Sequence, residues 1–227
     1  FWHKQKDIRA VVHGDDFTVL GWEGELDWFW KTIQERFECK LKGRLGPSKE
    51  DDKSIRILNR IITWTEEGIF YEGDQRHVEI ASDAVGFNER TRSVVTPAEK
   101  SKIEENKLVM LDKRDATKYR ALVARFNYLG QDRSDIQYAV KELSTAMSDP
   151  GSVDMAKMKR LARYLVRVPR CVVKFHYQSN VEQLVAWLDS DFAGCLKSRK
   201  STSGGIIMFG GCIIKTYCSQ QAVRALS

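Results

Sequence analysis

The chain has 227 residues, a formal net charge of +6, 42% hydrophobic residues and 30% charged residues. With only 4 prolines and 15 glycines it is not a fibrous or disordered chain, and its length suffices to bury a core without disulfides. No apolar run is long enough for a membrane span, and residues 1–6 lack a signal-peptide core. The 5 cysteines are scattered without a C-x-x-C pair, so a zinc site is not expected and a reducing, intracellular compartment is. The chain opens without methionine and closes just after a strand-like run, which reads as a segment of something longer.

Residues 8–12 and 17–20 are β-rich runs flanking His13-Gly14-Asp15-Asp16, a turn signal. The expected unit is a β-hairpin with two carboxylates at its tip. Leu26, Phe29, Trp30, Ile33 and Phe37 recur at helical spacing, predicting an amphipathic helix packed on that hairpin. Residues 43–53 read as a polar loop. Residues 55–64 and 69–71 flank Thr65-Glu66-Glu67-Gly68 as a second hairpin. A short helix is expected over 77–85, stopped near Gly86. Residues 88–106 are charged, contain Thr96-Pro97 and lack periodicity, as a linker does.

The chain then becomes helical. Tyr119, Leu122, Val123, Phe126 and Leu129 make one apolar stripe; Ile136, Ala139, Val140, Leu143 and Met147 make another. Ser152 is the expected N-cap of a third helix, carrying Met158, Leu161, Ala162, Leu165 and Val168 and stopped by Pro169. Strand-like runs follow over 171–177, 184–189, 205–209 and 212–217, with Gly210-Gly211 as a tight turn. The six tryptophans fall mostly at strand or helix positions and read as packing residues.

Three groups of residues could carry chemistry. Asp15-Asp16 places two hard oxygen ligands on one turn, as magnesium-dependent phosphoryl transfer requires, although Gly-Asp-Asp is also ordinary turn chemistry. Asp189 and Asp191 end an apolar strand, where alternation puts both on one side as a metal site needs, although a strand that simply ends in polar residues has the same pattern. Residues 156–174 hold Lys157, Lys159, Arg160, Arg163, Arg167, Arg170 and Lys174 and no acid. On the helix, these cations lie opposite the apolar arc. Such a run is usually a solvated helix face, but charge of one sign gains no ion pairs along a helix, whereas a phosphate backbone would complement it.

The order of these pieces resembles the Pol polyprotein of copia-type LTR retrotransposons, from mid reverse transcriptase into ribonuclease H. Val12-His13-Gly14-Asp15-Asp16 sits where that family has Y-V-D-D, with His13-Gly14 replacing its aromatic and β-branched pair. Residues 37–45 resemble its F-x-M-K-D-L-G segment. Ile57-Leu58-Asn59-Arg60-Ile61 resembles its F-L-G-I-E run, with Asn59 in place of glycine. Residues 119–129, 132–143 and 158–165 resemble its connection helices. Trp187 to Gly194 resembles Y-S-D-A-D-W-A-G, and Arg199-Lys200-Ser201-Thr202-Ser203-Gly204 is close to R-K-S-T-S-G. Ala225-Leu226-Ser227 resembles the start of A-L-S-T-x-E-A-E.

The resemblance implies an α/β fold in three parts. These are a reverse-transcriptase palm/thumb remnant over 1–95, a linker and helical connection over 96–170, and the start of a ribonuclease-H-like mixed sheet over 171–227, with the Asp189 strand central. It implies RNA-directed DNA polymerisation with hydrolysis of hybrid RNA, using Mg2+. Asp15, Asp16 and Asp189 would be catalytic metal ligands, with Asp191 auxiliary. Asn59 and Arg60 would contact nucleic acid, beside Lys157, Arg160, Arg163 and Arg167 of the basic helix. The implied partners are an RNA/DNA primer–template, deoxynucleoside triphosphates and the rest of the Pol polyprotein, in a cytoplasmic particle or the nucleus. The family's first palm aspartate and its later ribonuclease H acids have no counterpart in this sequence. This segment alone is therefore expected to be inactive, and an inactive nucleic-acid-binding remnant of a decayed element is the alternative reading.

Overall fold

The structure, a computed structural model, describes residues 1–99, 109–195 and 198–224. Among them it has an α/β architecture of five α-helices and three sheets. The chain divides into two units, Phe1–Arg44 and Leu45–Ser227. No helix of the described residues is long and apolar enough to cross a membrane.

In the first unit, β1 (Trp2–His3), β2 (Ile8–His13) and β3 (Asp16–Leu20) form a sheet in that order, followed by α1 (Glu23–Gln34). The expected hairpin is present, and its register pairs His13 with Asp16, leaving Gly14 and Asp15 as a two-residue turn. Gly14 has φ +62°, a conformation open to glycine at no steric cost. Asp15 therefore sits in the turn, whereas Asp16 opens β3. Lys6 pairs with Glu25 of α1 at 2.6 Å, and the His3 ring lies 5.4 Å from that of Trp28. The helix seats loosely, because none of its residues is buried. A cavity of ≈ 390 Å³, lined by residues including Trp2, His3, Ile8, Trp28, Phe29 and Ile33, opens beside it. α1 ends at Gln34, so Phe37 leaves the stripe predicted for it and packs instead 6.3 Å from Phe17.

In the second unit, β4 (Ser54–Ile57), β5 (Arg60–Thr65), β6 (Gly68–Glu72) and β7 (Val172–His176) form an antiparallel sheet in that order. The single strand expected over 55–64 is broken by a two-residue turn at Leu58 and Asn59, whose φ values are +48° and +65°. Both values belong to the type I′ hairpin turn, which supplies the twist that flanking strands need. Asparagine tolerates this geometry; leucine does so only at a cost.

Four helices build the core: α2 (Arg76–Ala84), α3 (Lys113–Leu129), α4 (Gln137–Thr145) and α5 (Ser152–Arg167). The predicted stripes are what they bury. Tyr119, Val123, Phe126, Ile136, Leu143, Met158, Leu161 and Leu165 are fully enclosed. The one hydroxyl in that set, on Tyr119, donates to the Leu143 carbonyl at 2.7 Å, which removes the cost of burying it. Ser152 is not the N-cap of α5. Gly151 holds that position, and its backbone N–H donates to the Asp154 carboxylate at 2.9 Å. Val168 ends the helix just before Pro169, as expected.

The last sheet contains β8 (Leu184–Ser190), β9 (Lys200–Phe209) and β10 (Cys212–Arg224), in the order β10-β9-β8. Gly210, at φ +56°, makes the predicted turn between the last two. Two expectations are corrected here. The described strands are antiparallel rather than mixed, and β8 is an edge strand rather than a central one. The strand-like run over 171–177 does not join this sheet, because β7 pairs with β6. The apolar run of β8 suits a strand covered on both faces. Here Leu184, Trp187 and Leu188 are each about two-thirds exposed. Trp2 and Trp22 are exposed as well, so the tryptophans are not mainly packing residues in this chain. Residues 225–227, which resemble a helix start, and residues 100–106 of the expected linker lie outside the described residues.

Candidate nucleic-acid interface and carboxylate pairs

The first carboxylate pair sits at the β2–β3 turn. Asp15 is exposed at the tip and Asp16 is half-buried. Asp16 is engaged by the Lys42 ammonium, whose pKa rises because of that hydrogen bond and the Asp16 charge, with Asp15 adding to it. Two carboxylates from one turn offer oxygen ligands on one side only. Among the described residues, no group of three or more His, Cys, Asp or Glu side chains could hold a metal ion. The donor set is therefore short of a magnesium centre.

The second pair divides into two different environments. Asp189, in β8, is exposed, and its carboxylate makes no hydrogen bond or ion pair among the described residues. Asp191 is bonded to β9 twice. Its backbone N–H donates to the Thr202 carbonyl at 3.1 Å, and its Oδ1 accepts from the Thr202 N–H at 2.6 Å. A Cβ on Gly194 would fall 2.1 Å from the Asp191 carboxylate, so that glycine leaves the room the carboxylate occupies.

These contacts connect the two most distinctive sequence boxes. The Ala193 N–H donates to the Ser201 hydroxyl at 3.0 Å, and the buried Lys141 ammonium donates to the Thr202 hydroxyl at 2.8 Å. Gln221 donates to the hydroxyls of both Ser190 and Ser203 at 2.9 Å. The Asp-Ser-Asp-Phe-Ala-Gly and Arg-Lys-Ser-Thr-Ser-Gly runs thus hydrogen-bond to each other across β8 and β9. Asp191 serves that junction, and Asp189 is left facing outward.

The basic run is partly neutralised from elsewhere in the fold. Arg170 donates to both oxygens of Glu72, at 2.8 and 2.7 Å, and Lys174 pairs with Glu67. The Arg170 hydrogen bonds hold the Glu72 carboxyl below its ordinary range. Arg160 is held by Glu99 at 2.7 Å and by the Thr96 hydroxyl at 2.9 Å. Lys157, Lys159, Arg163 and Arg167 have no acidic partner among the described residues. They lie on α5, whose opposite face supplies Met158, Leu161, Ala162 and Leu165 to the core. The helix is therefore a rigid mount for them.

Asn59 and Arg60 part company. Asn59 is exposed in its turn, whereas the Arg60 guanidinium is committed inward. It donates to Asp132 at 3.1 Å and to the Leu58 carbonyl at 3.2 Å, and lies 5.7 Å from the Tyr128 ring centroid. Asp132 also accepts from the Tyr71 hydroxyl, whose pKa burial, with that bond, pushes up to about 12. No sequence signal singles out Asp132. It joins residues 61 and 72 positions away, which no local pattern records.

Several known proteins are similar to parts of this chain. The retrovirus-related Pol polyprotein from transposon RE1 of Arabidopsis thaliana is 38% identical over 96 residues, and that from transposon RE2 is 36% identical over 96 residues. Each match covers 42% of this chain and 6% of the polyprotein, so the chain spans a small part of either relative. The uncharacterized mitochondrial protein AtMg00810 of the same plant is 33% identical over 107 residues, which is 47% of this chain and 44% of that protein. No protein-family model matches the chain, and no solved structure matches it. The chain is thus similar to part of retrotransposon Pol polyproteins.

Proposed function

We propose that this chain is a segment of a copia-type reverse transcriptase and ribonuclease H, and that its own part in the work is to hold an RNA–DNA hybrid. The observation that carries this reading is the α5 face, where Lys157, Arg163 and Arg167 stand without acidic partners among the described residues, on a helix anchored in the core. Such a row binds phosphates without reading sequence. The similarity to Pol polyproteins and the order of the sequence boxes support the assignment to this enzyme class.

In this reading, magnesium would be held at Asp15 and Asp16 for nucleotidyl transfer and at Asp189 for hydrolysis. In each case further ligands would come from other parts of the polyprotein. Bound metal would stabilise the charge on the attacking and leaving oxygens. The residues of this chain would supply one side of each site, orient the hybrid through α5, and form the β8–β9 junction that carries Asp189. The exposed apolar faces of β8 would be covered by the same polyprotein. Its substrates would be primer–template and deoxynucleoside triphosphates, in a cytoplasmic particle or the nucleus.

The test is a Pol chain containing this segment with its flanking sequence. It is expected to extend a primer and to cleave hybrid RNA with magnesium. Asp15→Asn should abolish extension and Asp189→Asn cleavage, each leaving the other activity in place. Activities indifferent to both substitutions would refute the assignment. A chain that binds hybrid but never turns over would favour the inactive remnant.

A further inference from the structure

The segment around Thr96 and Glu99 meets α5 in a way that bears on phosphate binding. Arg160 points a guanidinium at two oxygens of this segment: Nη1 pairs with the Glu99 carboxylate at 2.7 Å, and Nη2 donates to the Thr96 hydroxyl at 2.9 Å. The carboxylate and hydroxyl oxygens on the two terminal nitrogens take the places that the two non-bridging oxygens of a phosphodiester would fill. The Nε atoms of Arg160 and Arg163, one helical turn apart, are buried and have no hydrogen-bond partner among the described residues. A guanidinium N–H enclosed without an acceptor is costly and calls for an oxygen. Arg167, a further turn along, is exposed and has no acidic partner among the described residues.

We propose that Thr96 and Glu99 are a built-in stand-in for one phosphate of a nucleic-acid backbone. Arg160, Arg163 and Arg167 form a row that engages phosphates, and the Glu99 segment occupies the first position until a hybrid displaces it. This rests on the hybrid-binding role proposed for α5 and adds to it an internal competitor. The Glu99 side chain is largely exposed (68%), so its ion pair is weak enough to be exchanged. Without the carboxylate, Arg160 is available to the backbone and lengthens the row by one cation.

The test is fluorescence anisotropy of a short RNA–DNA hybrid with the full 227-residue chain, over a series of salt concentrations. Glu99→Gln is expected to tighten binding roughly two- to five-fold at low salt, the range set by loss of one exposed ion pair. It should also steepen the plot of log affinity against log salt by about 0.9, the increment for one more phosphate neutralised. Arg160→Gln should abolish that gain in the Glu99→Gln background. Glu99→Gln binding with unchanged affinity and slope, while Arg163→Ala plus Arg167→Ala still weakens binding, would refute the competitor and keep the binding face. If Arg163→Ala plus Arg167→Ala leaves binding unaltered, the role of α5 itself falls. Thermal unfolding of each variant checks that the fold is kept.

Discussion

The Arg133 guanidinium donates to both oxygens of the Asp135 carboxylate, at 2.9 and 2.7 Å, with the arginine almost wholly enclosed (3% exposed). The same guanidinium reaches the carbonyls of Val168 and Pro169 at 3.0 and 3.2 Å, and Tyr164 donates to Asp135 at 2.8 Å. One ion pair thus ties the loop after α3 to the C-terminal end of α5, where α5's last carbonyls lack helical partners. It sets the position of the helix that carries the basic row.

Arg133→Ala should therefore destabilise the chain by about 3 kcal/mol, because it leaves the Asp135 charge unneutralised and takes a donor from two carbonyls. Urea unfolding followed by circular dichroism measures this. The pair also predicts a pH dependence. Burial raises the Asp135 pKa, but the Arg133 hydrogen bonds and charge outweigh it and hold the carboxyl below its ordinary value. A depressed carboxylate contributes stability above its unfolded pKa, and this is lost as pH falls below about 4. Asp135→Asn should flatten the acid limb of the stability profile; an unchanged limb would mean the pair is not formed.

The two aspartates of the β8 end should behave oppositely. Asp191→Ala removes the acceptor for the Thr202 N–H and should cost about 1–2 kcal/mol. Asp189→Asn, on an exposed carboxylate, should stay within about 0.5 kcal/mol of wild type. Equal losses would contradict the division into a structural and an outward-facing carboxylate. Denaturant midpoints of the two variants decide it.

The helical stripes were legible in the sequence because a 3.6-residue period needs only local spacing, and every member from Tyr119 to Leu129 is buried. The β2–β3 hairpin was legible because Gly-Asp-Asp is a local turn signal. What escaped was long-range or geometric. Leu58 gives no turn signal, yet it stands at positive φ. Asp132 is defined by Arg60 and Tyr71, and Arg160 by Glu99, partners that only the fold brings near. Asp189 and Asp191 looked alike by alternation, and only the register with Thr202 separates them.

Leu58 supplies a further prediction. A leucine in the left-handed region costs about 1–2 kcal/mol relative to ordinary backbone. Leu58→Gly should recover about 0.5–1 kcal/mol, since the hairpin turn remains and the strain goes. The urea midpoint should rise. A fall would show that the exposed leucine side chain contributes more than its backbone costs.

Magnesium should bind the isolated chain without saturation in the low millimolar range, because Asp15 and Asp16 have no third protein ligand among the described residues. Calorimetric titration should give the same heats for wild type and for Asp15→Asn. A saturable site lost in Asp15→Asn would mean that this turn suffices to hold the ion.

The engagement of phosphates by α5 is read out by the salt dependence of hybrid binding. Log affinity for an RNA–DNA hybrid should fall linearly with log salt for the wild-type chain. Replacing Lys157, Arg163 and Arg167 together by alanine should reduce that slope by about 2.7, or about 0.9 for each phosphate no longer neutralised. A wild-type slope retained in the triple variant, with the fold intact, would mean that α5 does not engage phosphates.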